Sequence, residues 1–100
     1  MLPFQAMSPE NEPVTFNTFV LSLVTTAAVH FGDIAPPGSE KRLEPNLPGA
    51  AQMIEILGML QQKTRGNLEA DEQRFLEQAL YELRMRFVDA TKDEKRIVQP

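Results

Sequence analysis

Apolar residues recur with helical spacing in three segments of the chain, and none shows the alternation typical of a strand. The first segment is VTFNTFVLSLVTTAAVHFG, residues 14–32, which contains no charged residue. The second covers residues 46–65 and the third 69–90, and each has one apolar and one polar face. The pattern therefore predicts an all-α fold of three helices.

Residues suited to helix ends place the boundaries of these helices. Thr15 can cap the first helix, and Gly32 can end it in a left-handed conformation. Asn46 can cap the second helix, and we expect Gly66 to end it. The third helix is predicted to end at Ala90, before a highly charged tail.

The connections between the helices predict how they pack. The short turn at residues 65–67 favours an antiparallel hairpin of helices two and three. Helix one is joined by the longer loop 33–46, whose prolines exclude a helix, and is expected to lie across the hairpin. Gly58 costs helix two about 1 kcal/mol relative to alanine. It is therefore expected at a close helix crossing, or is a merely tolerated glycine.

The length of the chain limits the core that it can build. Residues 1–13 and 91–100 are predicted to be flexible segments flanking a single helical domain of residues 14–90. A domain of this size buries only about 60–65% of its unfolded surface, and oligomerisation is a common remedy. The chain has no cysteine, which removes disulfides and thiol chemistry and fits a reducing compartment such as the cytoplasm.

Two surfaces carry apolar or uncharged residues beyond what a three-helix core needs. Helix one has an apolar arc of roughly 200°, and a strip of small or β-branched residues occupies the rest. We predict that this strip contacts another helix, the alternative being a mildly polar solvent face. Helix three has an apolar patch opposite its core stripe, which is either an interface or scattered surface residues. The predicted interface consists of Thr18, Ser22, Thr25 and Val29 on helix one and Tyr81, Met85 and Val88 on helix three.

Charge and polarity exclude two classes of partner. The net charge is −4, which argues against sequence-independent nucleic-acid binding because that depends on Lys and Arg. The uncharged segment is too polar for a membrane span, since it contains Asn17, His30 and several hydroxyl residues. The start of the chain has no basic region followed by an apolar run, so no secretory signal is predicted.

No pattern of reactive residues predicts catalysis, a cofactor or a metal site. His30 is the only histidine and is expected to be a hydrogen-bonded residue at the core edge. No serine lies in a motif that would make it a nucleophile, and there is no glycine-rich phosphate motif. Glu69, Asp71 and Glu72 could suit Mg²⁺ or Ca²⁺, but their place at a helix N-terminus explains them more simply.

The arginines of helix three raise one further possibility. Arg84 and Arg86 beside Tyr81 could recognise a phosphate or RNA, but two arginines on an acidic helix are a weak signal. Arg86 stands four residues after Glu82, so we expect the two to form a surface ion pair. Neither these residues nor the loop 33–46 identifies a ligand.

Three segments of the chain resemble one known family. They are FVLSLVTTAAVHFG, NLPGAAQMIEILGMLQQKTRGNL and LYELRMRFVDA, and together they cover about three quarters of the chain. They are similar to the bacterial domain of unknown function numbered 1844, a set of short all-helical proteins. The resemblance implies helices and a bacterial cytoplasm, and it implies no catalytic residue, cofactor or substrate.

The sequence thus favours a non-catalytic helical module that associates with itself or with an unknown protein partner. The alternative is a regulatory nucleic-acid-binding protein that uses the hairpin of helices two and three. An enzyme is the third possibility, and no motif supports it.

Overall fold

A computed structural model describes the backbone of residues 14–98 and the side chains of residues 14–92. This part of the chain forms three helices and no strand: α1 (Phe16–Phe31), α2 (Leu47–Lys63) and α3 (Ala70–Val98). Each helix contacts both of the others. The predicted all-α class with three helices is confirmed, whereas the predicted flexible segment 1–13 lies outside the described residues.

The predicted boundaries of α1 are confirmed. The Thr15 hydroxyl accepts a hydrogen bond from the Thr18 amide at 3.0 Å, and the Thr18 hydroxyl accepts one from the Thr15 amide at 2.9 Å. This reciprocal pair satisfies amides that the first turn leaves without helical partners. At the other end Gly32 has φ +82°, and its amide donates to the carbonyls of Ala28 and Val29.

The start of α2 matches the prediction, but its end does not. Asn46 caps the helix, and its side-chain oxygen accepts from the Gly49 amide at 3.1 Å. The helix ends at Lys63, and Thr64 closes it through an amide and a hydroxyl that both donate to the Leu60 carbonyl. Gly66 does adopt a positive φ of 80°, but in the turn that follows. The threonine hydroxyl makes a glycine unnecessary at the helix end itself.

The third helix continues to Val98, eight residues beyond its predicted end at Ala90. The sequence predicts a tail over residues 91–100 because this end of the chain bears a proline, which stands at position 100. Residues 91–98 contain no glycine or proline, and lysine, glutamate and arginine are good helix formers, so nothing in this segment stops the helix. Thr91, the first residue after the predicted end, is helical, and its hydroxyl donates to the Val88 carbonyl at 2.8 Å.

The core lies where the three apolar faces meet. Leu57 of α2 and Leu76 and Leu80 of α3 are its largest fully buried side chains. The predicted core stripes of α2 and α3 are confirmed, since every predicted member is buried or half-buried. The predicted members are Ala50, Met53, Ile54, Ile56, Leu57 and Leu60 on α2 and Phe75, Leu76, Ala79, Leu80, Leu83 and Phe87 on α3. The buried set is Val20, Ala27, Phe31, Ala50, Leu57, Leu76, Ala79, Leu80 and Leu83.

The predicted apolar arc of α1 is too wide. Phe19 and Leu21 belong to that arc, yet they remain 46% and 52% exposed. Two neighbouring helices cover only one side of a third, so an uncharged helix cannot be hidden all round within a three-helix unit. Within the described residues, α2 and α3 therefore leave much of α1 uncovered.

Candidate interaction surface

One end of the molecule is closed by contacts between the end of α1 and the start of α2. The His30 carbonyl accepts a hydrogen bond from the Asn46 amide at 2.6 Å. The His30 ring is half-buried, and a Cβ added to Gly49 would lie 2.7 Å from its Nδ1 atom. The absence of a side chain at Gly49 thus makes room for the imidazole. The half-burial of His30 agrees with the predicted place at the core edge, and the hydrogen bond from Asn46 is accepted by its backbone carbonyl.

Arg86 closes the same end from the side of α3. Its Nη2 and Nε atoms donate to the two carboxylate oxygens of Asp33 at 2.7 and 2.9 Å. Its guanidinium carbon also lies 4.9 Å from the centre of the Phe31 ring. Glu82, the partner predicted for Arg86, accepts a hydrogen bond from Gln78 at 3.1 Å. Arg86 therefore has a structural role at this end.

The ion pair shifts the titration of Asp33. The hydrogen bond from Arg86 lowers the pKa of the Asp33 carboxyl below its ordinary value, and partial desolvation opposes this. The positive charges of Arg86 and Arg42 lower the pKa further. A bidentate pair of this geometry fixes the loop after α1 to α3.

The other residues considered for ligand binding are dispersed or already engaged. Arg84 lies over α2, with its Nη2 atom 3.6 Å from a Cβ built on Gly58. At the start of α3 a Glu72 oxygen accepts from the Glu69 amide at 2.9 Å, which is a capping contact. Within the described residues no three acidic, histidine or cysteine side chains converge on a possible metal position.

The strip predicted on α1 lies on the surface of the chain. Thr18, Ser22 and Thr25 are exposed and Val29 is half-buried. The Thr18 hydroxyl donates to the Thr15 carbonyl at 2.9 Å, and the Ser22 hydroxyl donates to the Phe19 carbonyl at 2.7 Å. These two hydroxyl protons are bound within the helix, so a neighbour could cover them without leaving a donor unsatisfied.

The patch predicted on α3 is also uncovered by the chain itself. Tyr81 is 65% exposed, Met85 46% and Val88 41%. Their spacing of four and three residues places them on one face of the helix, opposite the buried Leu76, Leu80 and Leu83. The structure thus brings the three side chains together on a single surface.

A groove between α1 and α3 was not predicted from the sequence. It has a volume of about 290 Å³. Asn17, one turn before the groove residue Leu21, has a buried side-chain oxygen with no hydrogen-bond partner among the described residues. The sequence indicates only that Leu21 and Val24 belong to the apolar arc of helix one. A helical pattern does not say which apolar residues of that arc a neighbouring helix leaves exposed. The groove is lined by Leu21, Val24, Phe75, Gln78, Ala79, Glu82 and Leu83.

Fold and surface together define a small all-α protein of three mutually packed helices with an uncovered apolar face. The family described as Domain of unknown function (DUF1844) matches residues 13–89, and the chain belongs to this family. No curated protein matches the chain, and no solved structure does. None of the described helices combines the length and apolarity needed to cross a bilayer.

Proposed function

We propose that this protein is a non-catalytic interaction module that associates with itself through the face formed by α1 and α3. The observation that carries the proposal is the exposure of Tyr81, Met85 and Val88 on the side of α3 that points away from the core. Contiguous apolar surface of this kind is typical of protein interfaces. The lack of cysteine fits the cytoplasmic location that the sequence predicts.

Helical spacing makes the strip, the groove and the patch parts of one surface. Thr18 and Thr25 lie three residues before and four after Leu21, so they adjoin the α1 wall of the groove. Tyr81 and Met85 each follow a residue of the α3 wall by three positions. A second molecule on this surface would cover both predicted sets of residues at once. It would also cover the groove between them.

The chemistry of this face also supports association. The hydroxyls of Thr18 and Ser22 are internally bonded, and α1 contributes no charge.

In this proposal α2 and α3 form the antiparallel hairpin that the short turn predicts, and α1 packs across it. Arg84 follows Leu76 by about two turns of α3 and lies beside Gly58 in the middle of α2. Leu76, nearer the start of α3, shares a cleft with Gln61 and Thr64 at the end of α2. Sequence positions that rise in one helix while they fall in the other support an antiparallel hairpin, with α1 packed across it.

The proposal is tested by size-exclusion chromatography with light scattering over a range of protein concentrations. We expect the wild type to form a dimer or higher oligomer. Tyr81→Asp and Met85→Asp should each weaken association about tenfold or more while helicity is retained, because a carboxylate would be desolvated in the interface. A wild type that stays monomeric at high micromolar concentration would contradict the proposal.

A matched control exists on the other side of the molecule. Met59 on α2 is 47% exposed, against 46% for Met85. The substitution Met59→Asp makes the same chemical change outside the proposed face, so it should leave association unchanged. Equal losses at Met59 and Met85 would point to a general effect of charge rather than to this surface.

A further inference from the structure

We propose that two copies of the chain pair through antiparallel α3 helices, each α3 lying along the α1–α3 groove of the other copy. This rests on the self-association proposed above and specifies its geometry. The groove wall on α3 and the outer patch of α3 share an edge, because Tyr81 follows Gln78 and Met85 follows Glu82 by three residues. Each α3 can therefore lie in the groove of the other copy while the other α3 lies in its own, as a two-fold interface requires.

The charges beside the groove favour a basic helix as its occupant. Glu82 and Gln78 line the α3 wall of the groove, and Asp71 and Asp89 lie seven residues before Gln78 and seven after Glu82, so all four share one face of α3. The opposite wall belongs to α1, which carries no Asp, Glu, Lys or Arg. An apolar groove with one acidic wall is complementary to a helix that has apolar residues and basic residues on neighbouring positions.

The chain itself contains one helix of that description. Arg74 and Lys92 lie at the two ends of the outer patch of α3, on the same face as Tyr81, Met85 and Val88, and both are exposed. The other helices are poor candidates, since α1 is uncharged and α2 contains Lys63 as its single basic residue. The partner's α3 is therefore the occupant that the charges fit.

The same charges define the register of the two helices. Arg74 lies seven residues before Tyr81, and Asp89 lies seven residues after Glu82. A two-fold axis between positions 81 and 82 thus places Arg74 opposite the partner's Asp89. Asp71 and Lys92 lie ten residues out on either side, so Lys92 stands opposite the partner's Asp71. Symmetry doubles both contacts, which gives four opposite-charge pairs.

The apolar and polar neighbours agree with this register. Phe75 lies six residues before Tyr81, and Val88 lies six residues after Glu82. The two-fold axis therefore places Val88 opposite the partner's Phe75 at the edge of the groove. The Tyr81 hydroxyl lies opposite the partner's Glu82 and can donate to it. A parallel arrangement in register would set each acidic residue against its own copy, which is repulsive.

Charge inversion tests the pairing directly. One variant carries Asp71→Lys and Asp89→Lys, and a second carries Arg74→Glu and Lys92→Glu. Each variant alone should associate about tenfold or more weakly than wild type, because all four pairs become repulsive. An equimolar mixture should restore a one-to-one heterodimer by native mass spectrometry and light scattering, since all four pairs are then attractive.

A control with the same change in net charge as the Asp71→Lys/Asp89→Lys variant separates the effect of register from that of overall charge. The double substitution Glu40→Lys and Glu55→Lys alters exposed carboxylates of the loop and of α2, outside the proposed contact, and should leave association and mixing behaviour unchanged. Circular dichroism of every variant checks that the helices persist. For the groove itself, Glu77→Lys is a matched control for Glu82→Lys. Each of these two carboxylates accepts a hydrogen bond from a glutamine at 3.1 Å, but only Glu82 lines the groove.

The outcomes distinguish this inference from the proposal on which it rests. A monomeric wild type overturns both. A wild type that associates, but whose inverted variants associate equally well or fail to recombine on mixing, overturns the register and leaves self-association standing. A monomeric wild type that binds a synthetic Leu/Lys amphipathic helix, with binding lost on Glu82→Lys and kept on Glu77→Lys, would assign the groove to a helix from another protein.

Discussion

The closed end of the molecule and the open face between α1 and α3 use the same helix in opposite ways. At the closed end Phe31 is 2% exposed, lies 6.4 Å from the Phe87 ring centre and receives the Arg86 guanidinium on its face. At the open face, which comprises the groove between α1 and α3 and the patch of Tyr81, Met85 and Val88, the groove residue Leu21 of the same helix is 52% exposed. Phe31 has aromatic and cationic neighbours from α3, whereas about half of Leu21 lies in solvent.

The difference shows in which part of the molecule the polar side chains find distant partners within the same chain. The closed end joins elements far apart in sequence through the Asn46–His30 hydrogen bond and the Asp33–Arg86 pair, which spans 53 residues. The side-chain hydrogen bonds of the described α1 residues are local and return to the helix backbone or its cap. Folding thus uses the polar groups of the closed end and leaves the open face available for a partner.

The largest expected effect comes from truncating one apolar side chain of α1 in each region. Phe31→Ala should lower the free energy of unfolding by about 3–5 kcal/mol, because it leaves a cavity and removes the contacts with Phe87 and Arg86. Leu21→Ala should lower it by less than about 1 kcal/mol, since 52% of Leu21 is already in water. Urea titrations followed by circular dichroism measure both, and equal losses would remove the distinction between the two regions.

Two glycines of α2 give the next contrast. Gly49→Ala should destabilise by about 1–3 kcal/mol, because the new methyl group meets the His30 ring and the Asn46 side chain. Gly58→Ala should stabilise by up to about 1 kcal/mol, because its Cβ meets only Arg84 at an ordinary 3.6 Å while helix propensity improves. The same titrations apply. A stabilising Gly49→Ala would show that the junction has room to spare.

A smaller effect is expected on the strip of α1. Thr25→Lys places a charge beside Leu21 and should weaken self-association by about fivefold to tenfold, while the stability of the single chain is unchanged. Thr26→Lys makes the same change on the next residue, whose hydroxyl donates to the Ser22 carbonyl at 3.0 Å on a different face of the helix. Sedimentation velocity compares the two, and identical behaviour would exclude the strip from the interface.

Sequence patterns predicted the features that depend on near neighbours in the chain. The cap at Thr15, the end at Gly32 and the cap at Asn46 each follow from one residue and the backbone beside it, and all three are confirmed. The core stripes of α2 and α3 follow equally from local periodicity. The end of α3 lies later than predicted because the proline-bearing segment 91–100 indicates a tail, whereas the charged residues before that proline can propagate a helix well.

Features that depend on distant contacts could not be predicted in the same way. Arg86 has Glu82 one turn away, but its bidentate partner is Asp33, and nothing in helical spacing points to that residue. Gly58 was expected at a close crossing, yet its Cβ would have ordinary space, so the tolerated-glycine alternative is correct. The groove arises from how far α1 and α3 stand apart, which no single helix encodes.

The smallest expected effect tests the ion pair of the closed end through its pH dependence. Arg86 depresses the pKa of Asp33 in the folded state, so the pair stabilises the fold above the ordinary aspartate pKa and loses this contribution as pH falls through the folded value. Asp33→Asn should therefore cost about 0.3–1 kcal/mol near neutral pH, and the cost should shrink progressively once the pH falls below the ordinary aspartate pKa. The modest size follows from exposure, since 41% of the Asp33 side chain remains accessible.

Urea titrations of Asp33→Asn and wild type at several pH values between neutrality and about pH 3 measure this difference. Glu40→Gln removes a carboxylate from the same loop and should give a curve parallel to that of wild type throughout. If the gap between Asp33→Asn and wild type stays constant down to the lowest pH, the pair does not act through the charge of Asp33. The loop after α1 would then be fixed by the packing of Phe31 and the Asn46–His30 hydrogen bond alone.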